Sequence, residues 1–286
     1  MPSSLRFLII DGYPKLSRDE FDGVGMKHAW LLYAEMLKKY LPDGEYRVWF
    51  PSDSAVPPDG LGPAHYQGIL WTGCNLTIYH HDDVRVIRQI EYARQAYEDG
   101  TPGFGTCWGL QMAAAAAGGE VKANPRGREM GLARKIHLTA EGACHPFMQG
   151  KPPVYCGYIS HLDEVTQLPP GALLLASNDF TRVQAIEVKH KKGTFWATQY
   201  HPEYDLHEVA RLITAREPKL LPEGFFRDHE DLVDYVSRLE MLYSDPTRKS
   251  LRWQLDIDDD VLSDEVRQLE FRNWINKLVL PHAAGG

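Results

Sequence analysis

The chain has 286 residues, of which 43% are hydrophobic and 24% are charged, and its formal net charge is −8 at pH 7. That length and composition can supply one sizeable core with an added segment, or two modest domains. A net negative surface repels phosphate backbones and anionic lipids, so neither nucleic acid nor a membrane is expected as the main partner.

The first apolar run of the chain covers residues 5–10. It is much shorter than the roughly 20 residues that a membrane-spanning helix requires, and it lacks the basic start and small-residue cleavage site of a secretion signal. We therefore expect a buried strand here and a cytoplasmic protein with reduced thiols. None of the four cysteines lies in a C-x-x-C pair, which argues against a zinc or redox site. They are Cys74, Cys107, Cys144 and Cys156.

The first half of the chain alternates strand-like and helix-like segments. In chain order, the predicted elements are a strand at 5–11, a helix at 28–40, strands at 46–50 and 68–71, a helix at 83–99, a strand at 102–105 and a helix at 108–117. Residues 12–25 are predicted to be loop. In the helix at 83–99, apolar residues recur at spacings of three and four until Gly100 ends it. This alternation predicts an α/β fold with a doubly wound, mostly parallel sheet.

The second half begins with short strand-like runs and ends with helical patterns alone. The runs lie at 134–138, 153–156, 172–176, 183–188 and 194–200, and a helix is predicted at 205–216. We interpret the runs as an antiparallel extension of the sheet. A break follows near Pro218. We therefore predict one domain at residues 1–216 and a helical C-terminal extension at residues 217–286.

The segment 105–109 reads Gly-Thr-Cys-Trp-Gly and joins a predicted strand to a predicted helix. This is the pattern of a nucleophile elbow, with cysteine in place of serine. The tight turn strains the backbone of Cys107, and the flanking glycines relieve crowding. The start of a helix favours a thiolate and offers free N–H groups to an oxyanion. Cys107 is therefore the predicted nucleophile, with a buried structural cysteine as the alternative.

A base for this thiol is predicted at the end of the strand at 194–200, where the sequence continues Tyr-His-Pro-Glu. A cysteine nucleophile needs a base, and the base needs a group that orients it. His201 follows the strand directly, and Glu203 can turn back towards the imidazole. Because loops at the carboxyl ends of strands meet at one edge of an open α/β sheet, both residues are expected beside Cys107.

Three motifs together resemble the class I glutamine amidotransferases. They are the nucleophile segment at 105–111 followed by Gly-Gly at 118–119, the Gln-Tyr-His-Pro-Glu segment at 199–203, and Ser-His-Leu-Asp-Glu-Val at 160–165. The last motif resembles the branch that contains the glutaminase domain of GMP synthetase. The resemblance covers roughly residues 5–215. It implies a flavodoxin-like fold and a triad in which Cys107 attacks a γ-glutamyl carbonyl, His201 transfers the proton and Glu203 orients His201.

The resemblance also implies the surroundings of the triad. The oxyanion hole would consist of the Trp108 N–H and a backbone N–H of the turn at Gly73. The glutamate end of the substrate would be held by Gln111 and by the backbone of Ser160 and His161. Glutamine or a γ-glutamyl compound is the expected substrate, and neither a cofactor nor a metal ion is expected.

Two features of the chain depart from the family pattern or leave its meaning open. Cys74 follows Gly73, where the family often has glycine or serine, and it is expected to fill a turn rather than act as a second nucleophile. Trp71 and Trp108 flank the predicted site. They either shape an apolar pocket for the leaving group or pack in the core.

Three functions are consistent with these motifs. The favoured one is glutamine-amide hydrolysis by a protein without its own synthetase domain, working with a separate synthetase subunit, since no nucleotide-binding loop is visible. The second is a γ-glutamyl amide or peptide hydrolase that acts alone. The third is a non-catalytic regulatory protein that keeps the fold. The helical extension could dock a synthetase, form a homodimer or cover the site.

Three further segments contain residue types that can bind metals or substrates, but a purely structural role is favoured for each. Residues 80–83, His-His-Asp-Asp, have metal-ligand types but are expected to cap the next helix. Residues 126–129, Arg-Gly-Arg-Glu, either contact a substrate carboxylate or form a solvated loop, and the loop is favoured. The acidic run at 256–260 lacks the glycine and terminal glutamate of a calcium loop and is expected to be a solvated turn.

Overall fold

The computed structural model of the protein describes residues 5–285. The strands are β1 Arg6–Ile10, β2 Glu45–Trp49, β3 Gly68–Trp71, β4 Gly103–Thr106, β5 Glu120–Ala123, β6 Glu129–Leu138, β7 Val154–His161, β8 Asp163–Gln167, β9 Ala172–Ser177, β10 Ala185–His190 and β11 Gly193–Thr198. The helices are α1 Lys15–Val24, α2 Ala29–Tyr40, α3 Val84–Asp99, α4 Trp108–Ala116, α5 Ala140–Cys144, α6 Leu206–Leu220, α7 His229–Ser244, α8 Lys249–Leu255, α9 Asp259–Leu262, α10 Asp264–Arg267, α11 Leu269–Trp274 and α12 Leu280–Gly285, with a π-helical turn at Ile275–Val279.

Within this stretch, nine strands form one sheet in the order β2-β1-β3-β4-β11-β10-β9-β6-β7. The first five strands of that order pair in parallel, and the pairs from β11 to β7 are antiparallel. β5 and β8 form a separate antiparallel pair. The predicted α/β class, the parallel central strands and the antiparallel extension are thus confirmed, and the last segments are helical as predicted. The strand at 194–200 was assigned to the extension, but as β11 it pairs in parallel with β4.

The inner parallel strands, β1, β3, β4 and β11, are buried on both faces. In β1, Leu8 and Ile10 pack in a core that includes residues of α3 and α4, whereas Phe7 and Ile9 point to the opposite face and pack with residues of α2. Side chains of a strand alternate between the two faces of the sheet, so a strand covered on both sides is apolar throughout. This explains why the sequence shows β1 as a continuous apolar run rather than an alternating one.

One predicted loop is a helix. Residues 12–25 were expected to be irregular, but α1 covers most of this segment. Its buried apolar residue, Phe21, meets the Tyr13 ring edge-on at a centroid distance of 5.0 Å. The other apolar residues of the helix are exposed, as Leu16 is, or only partly buried, as Val24 is, so the segment lacks the continuous apolar stripe that indicates a helix in sequence. Tertiary packing, not local preference, therefore specifies α1.

The predicted boundary between residues 216 and 217 falls inside α6, and the division into two domains stays a prediction. Part of the C-terminal segment is inserted in the main core. Phe271 and Trp274 are fully buried, and their rings lie 5.2 and 5.8 Å from the ring of Phe104 on β4.

No helix in the described stretch, 5–285, is long and apolar enough to cross a bilayer.

We expect Trp274→Ala to lower the free energy of unfolding by about 3–5 kcal/mol, as is typical when a buried aromatic side chain is removed and a cavity remains. Urea or guanidinium unfolding measures the change. Trp253→Ala is the matched control, because Trp253 lies in the same C-terminal segment but is 84% exposed. Equal stability of the two variants would show that the segment is a loosely held addition.

Candidate active site

The predicted catalytic residues follow the carboxyl ends of neighbouring parallel strands. β4 ends at Thr106, directly before Cys107, and its partner β11 ends at Thr198, three residues before His201. Thr106 and Thr198 are paired in the ladder. The structure therefore brings the two motifs to one edge of the sheet, the usual position of ligand sites in open α/β folds.

The backbone at Cys107 is strained in the way that a nucleophile elbow requires. Cys107 has φ 51° and ψ −101°, values that L residues rarely adopt. Its N–H donates to the Thr198 carbonyl at 2.8 Å. A Cβ at Gly105 would lie 2.8 Å from the Cα of Gly109, so the turn closes only with glycine at residue 105. The residue itself is 4% exposed, and its Sγ donates to the Ser160 carbonyl at 3.7 Å.

The His201 ring is held by a carboxylate and by an aromatic face. Its Nδ1 lies 2.6 Å from Oε1 of Glu203, and both side chains are almost fully buried. The Thr106 hydroxyl donates to the same Glu203 oxygen at 2.9 Å, and Tyr33 donates to Thr106 at 2.8 Å. Tyr204 stacks on the imidazole at a centroid distance of 4.2 Å and an angle of 7°. The orientation of the imidazole is thus fixed on two sides.

The charged form of His201 is favoured despite its burial. Burial disfavours the imidazolium, but the negative charge of Glu203 and hydrogen bonds to Cys107 and Glu203 outweigh burial and raise the pKa of His201 from 6.5 to about 10. At neutral pH the imidazolium is therefore the stable form beside the sulfur.

The two predicted oxyanion donors lie next to Cys107. A Cβ at Gly73 would come within 2.9 Å of His201 Cε1 and 3.8 Å of Cys107 Cβ. The Gly73 backbone is therefore packed against both catalytic candidates, and a larger residue would displace the imidazole. Trp108 is the first residue of α4, where backbone N–H groups have no acceptor within the helix.

The structure resolves what the sequence left open about the two tryptophans and Cys74. The indoles of Trp71 and Trp108 are buried and donate to the same Gln89 oxygen at 3.1 and 2.9 Å. They pack in the core and do not form a leaving-group pocket. Cys74 Sγ accepts from the Leu76 N–H at 3.4 Å. Burial raises the pKa of the Cys74 thiol, so it stays neutral and fills the turn.

A cavity of about 190 Å³ opens beside Cys107, and the predicted substrate-binding residues line it. The amide nitrogen of Gln111 donates to the Asp163 carbonyl at 2.9 Å. The ring nitrogens of His161 lie 2.9 Å from the Asp163 carbonyl and 3.0 Å from a Glu129 carboxylate oxygen. Because these groups occupy the imidazole, only the backbone of His161 is available to a substrate. Ser160 also borders the cavity.

The same cavity has a wall of three cationic side chains, and this grouping was not predicted from the sequence. Arg128, Arg216 and Lys219 line it, together with Tyr13. Of these, only Arg128 was considered in the sequence. It lies against the cavity and pairs with Glu223 at 2.8 and 3.1 Å, so the solvated-loop interpretation is wrong for Arg128, whose side chain is only 14% exposed.

The C-terminal segment contacts the loop that carries His201. Arg267, which is 6% exposed, donates from Nε to the Pro202 carbonyl at 3.3 Å. Glu270 accepts a short hydrogen bond from the hydroxyl of Tyr200. The residues before and after His201 are thus both held by side chains of the C-terminal helices. No sequence signal connected these helices to the site.

Among the described residues, no group of three or more His, Cys, Asp or Glu side chains is arranged to hold a metal ion. The side chain of Asp83 accepts from the Arg85 N–H at 2.9 Å and caps α3. The capping interpretation of residues 80–83 is therefore confirmed.

Comparison with known proteins identifies relatives of two kinds. The family model "Glutamine amidotransferase class-I" matches residues 78–217. A γ-glutamyl-L-1-hydroxyisopropylamide hydrolase from Pseudomonas sp. is 34% identical over 98% of this chain and 95% of that protein. A GMP synthase from Nitratiruptor sp. is 32% identical, over 51% of this chain and 27% of its own length.

Solved structures share the fold at lower identity. A glutamine amidotransferase from Thermotoga maritima has a TM-score of 0.65 at 15% identity, with 96% of this chain and 98% of that chain covered. One from Methylobacillus flagellatus has a TM-score of 0.63 at 18% identity, with 99% and 96% covered. Because the family model matches residues 78–217 and the Pseudomonas hydrolase is 34% identical over nearly its whole length, the chain belongs to the class I glutamine amidotransferase family and is an enzyme of the glutamine amidotransferase or γ-glutamyl hydrolase type.

Proposed function

We propose that the protein is a free-standing hydrolase of γ-glutamyl amides that works through a thioester on Cys107. The observation that carries the proposal is the similarity of nearly the entire chain, C-terminal helices included, to the Pseudomonas γ-glutamyl-L-1-hydroxyisopropylamide hydrolase. The GMP synthase of Nitratiruptor matches only about half of the chain. The free-standing hydrolase is therefore preferred here, whereas the sequence alone favoured glutamine hydrolysis for a separate synthetase.

The first half-reaction forms the thioester. The Cys107 thiolate attacks the γ-carbonyl carbon, and the negative charge moves to the carbonyl oxygen, where the N–H groups of Trp108 and the Gly73 turn stabilise it. His201 donates its proton to the departing nitrogen as the C–N bond breaks. The amine leaves, and the γ-glutamyl group stays bound to sulfur.

The second half-reaction consumes water. Neutral His201 removes a proton from a water molecule, which attacks the thioester carbonyl. The C–S bond breaks, glutamate leaves, and the imidazolium–thiolate pair is restored. Glu203 stabilises the imidazolium in both steps through the 2.6 Å contact. A non-catalytic role is disfavoured, because a strained Cys107 backbone and a buried ionisable pair are costly to keep without chemistry.

The proposal is tested by hydrolysis of a substrate panel with the isolated protein. We expect kcat/KM for γ-glutamyl isopropylamide to exceed that for glutamine by about tenfold or more. Each carbon of an apolar leaving group that fits its pocket contributes roughly 1–3 kcal/mol to transition-state binding. Released glutamate is the readout. The control is the α-glutamyl isomer, which places the scissile carbonyl on the wrong carbon and should not react.

A second candidate remains, favoured by the similarity to GMP synthases: a glutaminase that depends on a separate synthetase. It predicts that neither substrate is turned over by the isolated protein although Cys107 still reacts with a glutamine-like electrophile. That result would reject the free-standing hydrolase.

A further inference from the structure

Arg216 on α6 is a buried cation that has no anionic partner in the protein. The residue is 8% exposed, and among residues 5–285 no hydrogen bond or ion pair reaches its guanidinium. Its contact is the ring of Phe21, whose centroid lies 5.7 Å from Cζ. Removing a charge from water without a partner is costly. Because Arg216 lines the cavity beside Cys107, the missing partner is expected to be part of the substrate.

The charges around Arg216 strengthen this expectation. Lys219 lies one helical turn away, and its pKa is lowered first by partial burial and then by the positive charges of Arg216 and Arg128. The Glu223 carboxylate is already bound by Arg128. Glu20 is the other acid that acts on Lys219, and it is exposed on α1. The wall thus carries an excess of positive charge towards the cavity.

An acid also lines this cavity. Asp163 borders the cavity, and its carboxylate accepts from the Tyr79 hydroxyl at 3.0 Å. Cationic and acidic side chains that line one small cavity match the α-carboxylate and α-ammonium groups of an amino acid. The volume of about 190 Å³ is below the range of roughly 300–1,000 Å³ typical of drug-sized ligands, so the cavity suits a fragment such as a γ-glutamyl group.

We propose that Arg216, supported by Lys219, binds the α-carboxylate of the γ-glutamyl substrate and so determines that the γ-carbonyl reaches Cys107. This inference rests on the function proposed above. The guanidinium suits the task because its planar fork of N–H donors matches a carboxylate in a bidentate arrangement. Arg216 and Cys107 line the same cavity, so one γ-glutamyl group bound there can contact both the guanidinium and the nucleophile.

The test compares two substrates that differ only at the α-carbon, γ-glutamyl ethylamide and its α-carboxamide analogue. Arg216→Met keeps the aliphatic packing on Phe21 but removes the charge. We expect it to raise KM for the carboxylate substrate about 10- to 100-fold with little change in kcat, and to leave the carboxamide substrate unaffected. Arg216→Lys should restore part of the loss. Thermal unfolding of both variants checks that they are folded.

Arg126→Met is the matched control, since Arg126 is exposed and lies outside the cavity lining. It should change neither KM. Equal losses of Arg216→Met on the carboxylate and carboxamide substrates would overturn the proposal. A loss confined to γ-glutamylglycine, whose leaving group carries a carboxylate, would also overturn it, because Arg216 would then serve the leaving group.

A second readout separates this inference from the proposed function. If the wild-type protein hydrolyses no γ-glutamyl substrate, Cys107 can still be labelled by 6-diazo-5-oxo-L-norleucine, which has the glutamine α-carboxylate, and by neutral iodoacetamide. Arg216→Met should lower the ratio of the two labelling rates about tenfold or more. An unchanged ratio rejects the carboxylate subsite whatever the protein's reaction is.

Discussion

Replacing Cys107 with alanine is expected to reduce the hydrolysis of γ-glutamyl amides about a million-fold, which is the scale on which removing a nucleophile acts in a triad enzyme. The reaction has no substitute for the sulfur. The neighbouring thiol, Cys74, is kept neutral by burial and accepts a hydrogen bond from the Leu76 N–H. The variant should fold, because the substitution removes a single sulfur atom from the wall of a cavity that already exists.

The measurement is glutamate release under single-turnover conditions, combined with mass spectrometry of acid-quenched protein. Wild-type protein should carry a γ-glutamyl adduct on the peptide that contains Cys107, and the alanine variant should carry none. Cys144→Ala is the control, because Cys144 is exposed and far along the chain from both motifs. Turnover by Cys107→Ala at more than a trace level would falsify the thioester mechanism.

The parts of the molecule that could be predicted from sequence are those whose physical cause is local. The apolar run at β1 predicts a strand buried on both faces, since it has no polar alternation. The elbow is predictable because the strain at Cys107 and the close approach at Gly105 require particular residues in adjacent positions. The proximity of His201 to Cys107 was expected because both follow strand ends, but only the structure shows that β11 pairs in parallel with β4 rather than within the antiparallel extension.

The parts that could not be predicted depend on contacts between segments that lie far apart in the chain. Arg216 and Tyr33 belong to helices whose sequence pattern records only which face is buried. Nothing in that pattern reveals that Tyr33 donates to Thr106 or that Arg216 borders the cavity. The same holds for Arg267, which donates to the Pro202 carbonyl from a region that looked like an addition.

These contacts change how the C-terminal helices are interpreted. In the sequence they form a separate helical pattern after Pro218. In the structure, Phe271 packs against Phe104, the residue before Gly105 of the elbow. Arg267 and Glu270 contact the residues on either side of His201. The helices therefore support both halves of the candidate site, which agrees with a hydrolase relative that is similar along nearly the whole chain.

Replacing Glu203 with glutamine is expected to lower kcat/KM about 10⁴-fold while His201 stays in place, because the orienting carboxylate of a triad contributes on this scale. The amide keeps the shape of the side chain and removes its charge. Burial disfavours the imidazolium, and the Glu203 charge is the main influence that raises the pKa of His201 to about 10. Without that charge, burial is less opposed, and the pKa of His201 should fall.

Two pH profiles measure this change. The wild-type imidazolium should lose its proton near pH 10, so the alkaline decline of kcat/KM should lie there and move to lower pH in Glu203→Gln. Stability gives an independent readout. Because the pKa of His201 is higher in the folded protein than its unfolded value of about 6.5, protonation of His201 stabilises the fold. This stabilisation is complete below pH 6.5 and is lost as the pH rises through about 10. This loss should be much smaller in the variant.

The matched control for this prediction is Glu217→Gln. Glu217 contacts His229 at 2.7 Å, nearly the same distance as in the catalytic pair, but the His229 side chain is 68% exposed. An exposed pair contributes little because water and salt screen it, so this variant should keep both its rate and its pH profile. Equal activity of Glu203→Gln and the control would remove Glu203 from the triad. A lower rate with an unmoved alkaline decline would mean that Glu203 acts through packing alone, since its charge would then have no measurable effect on His201.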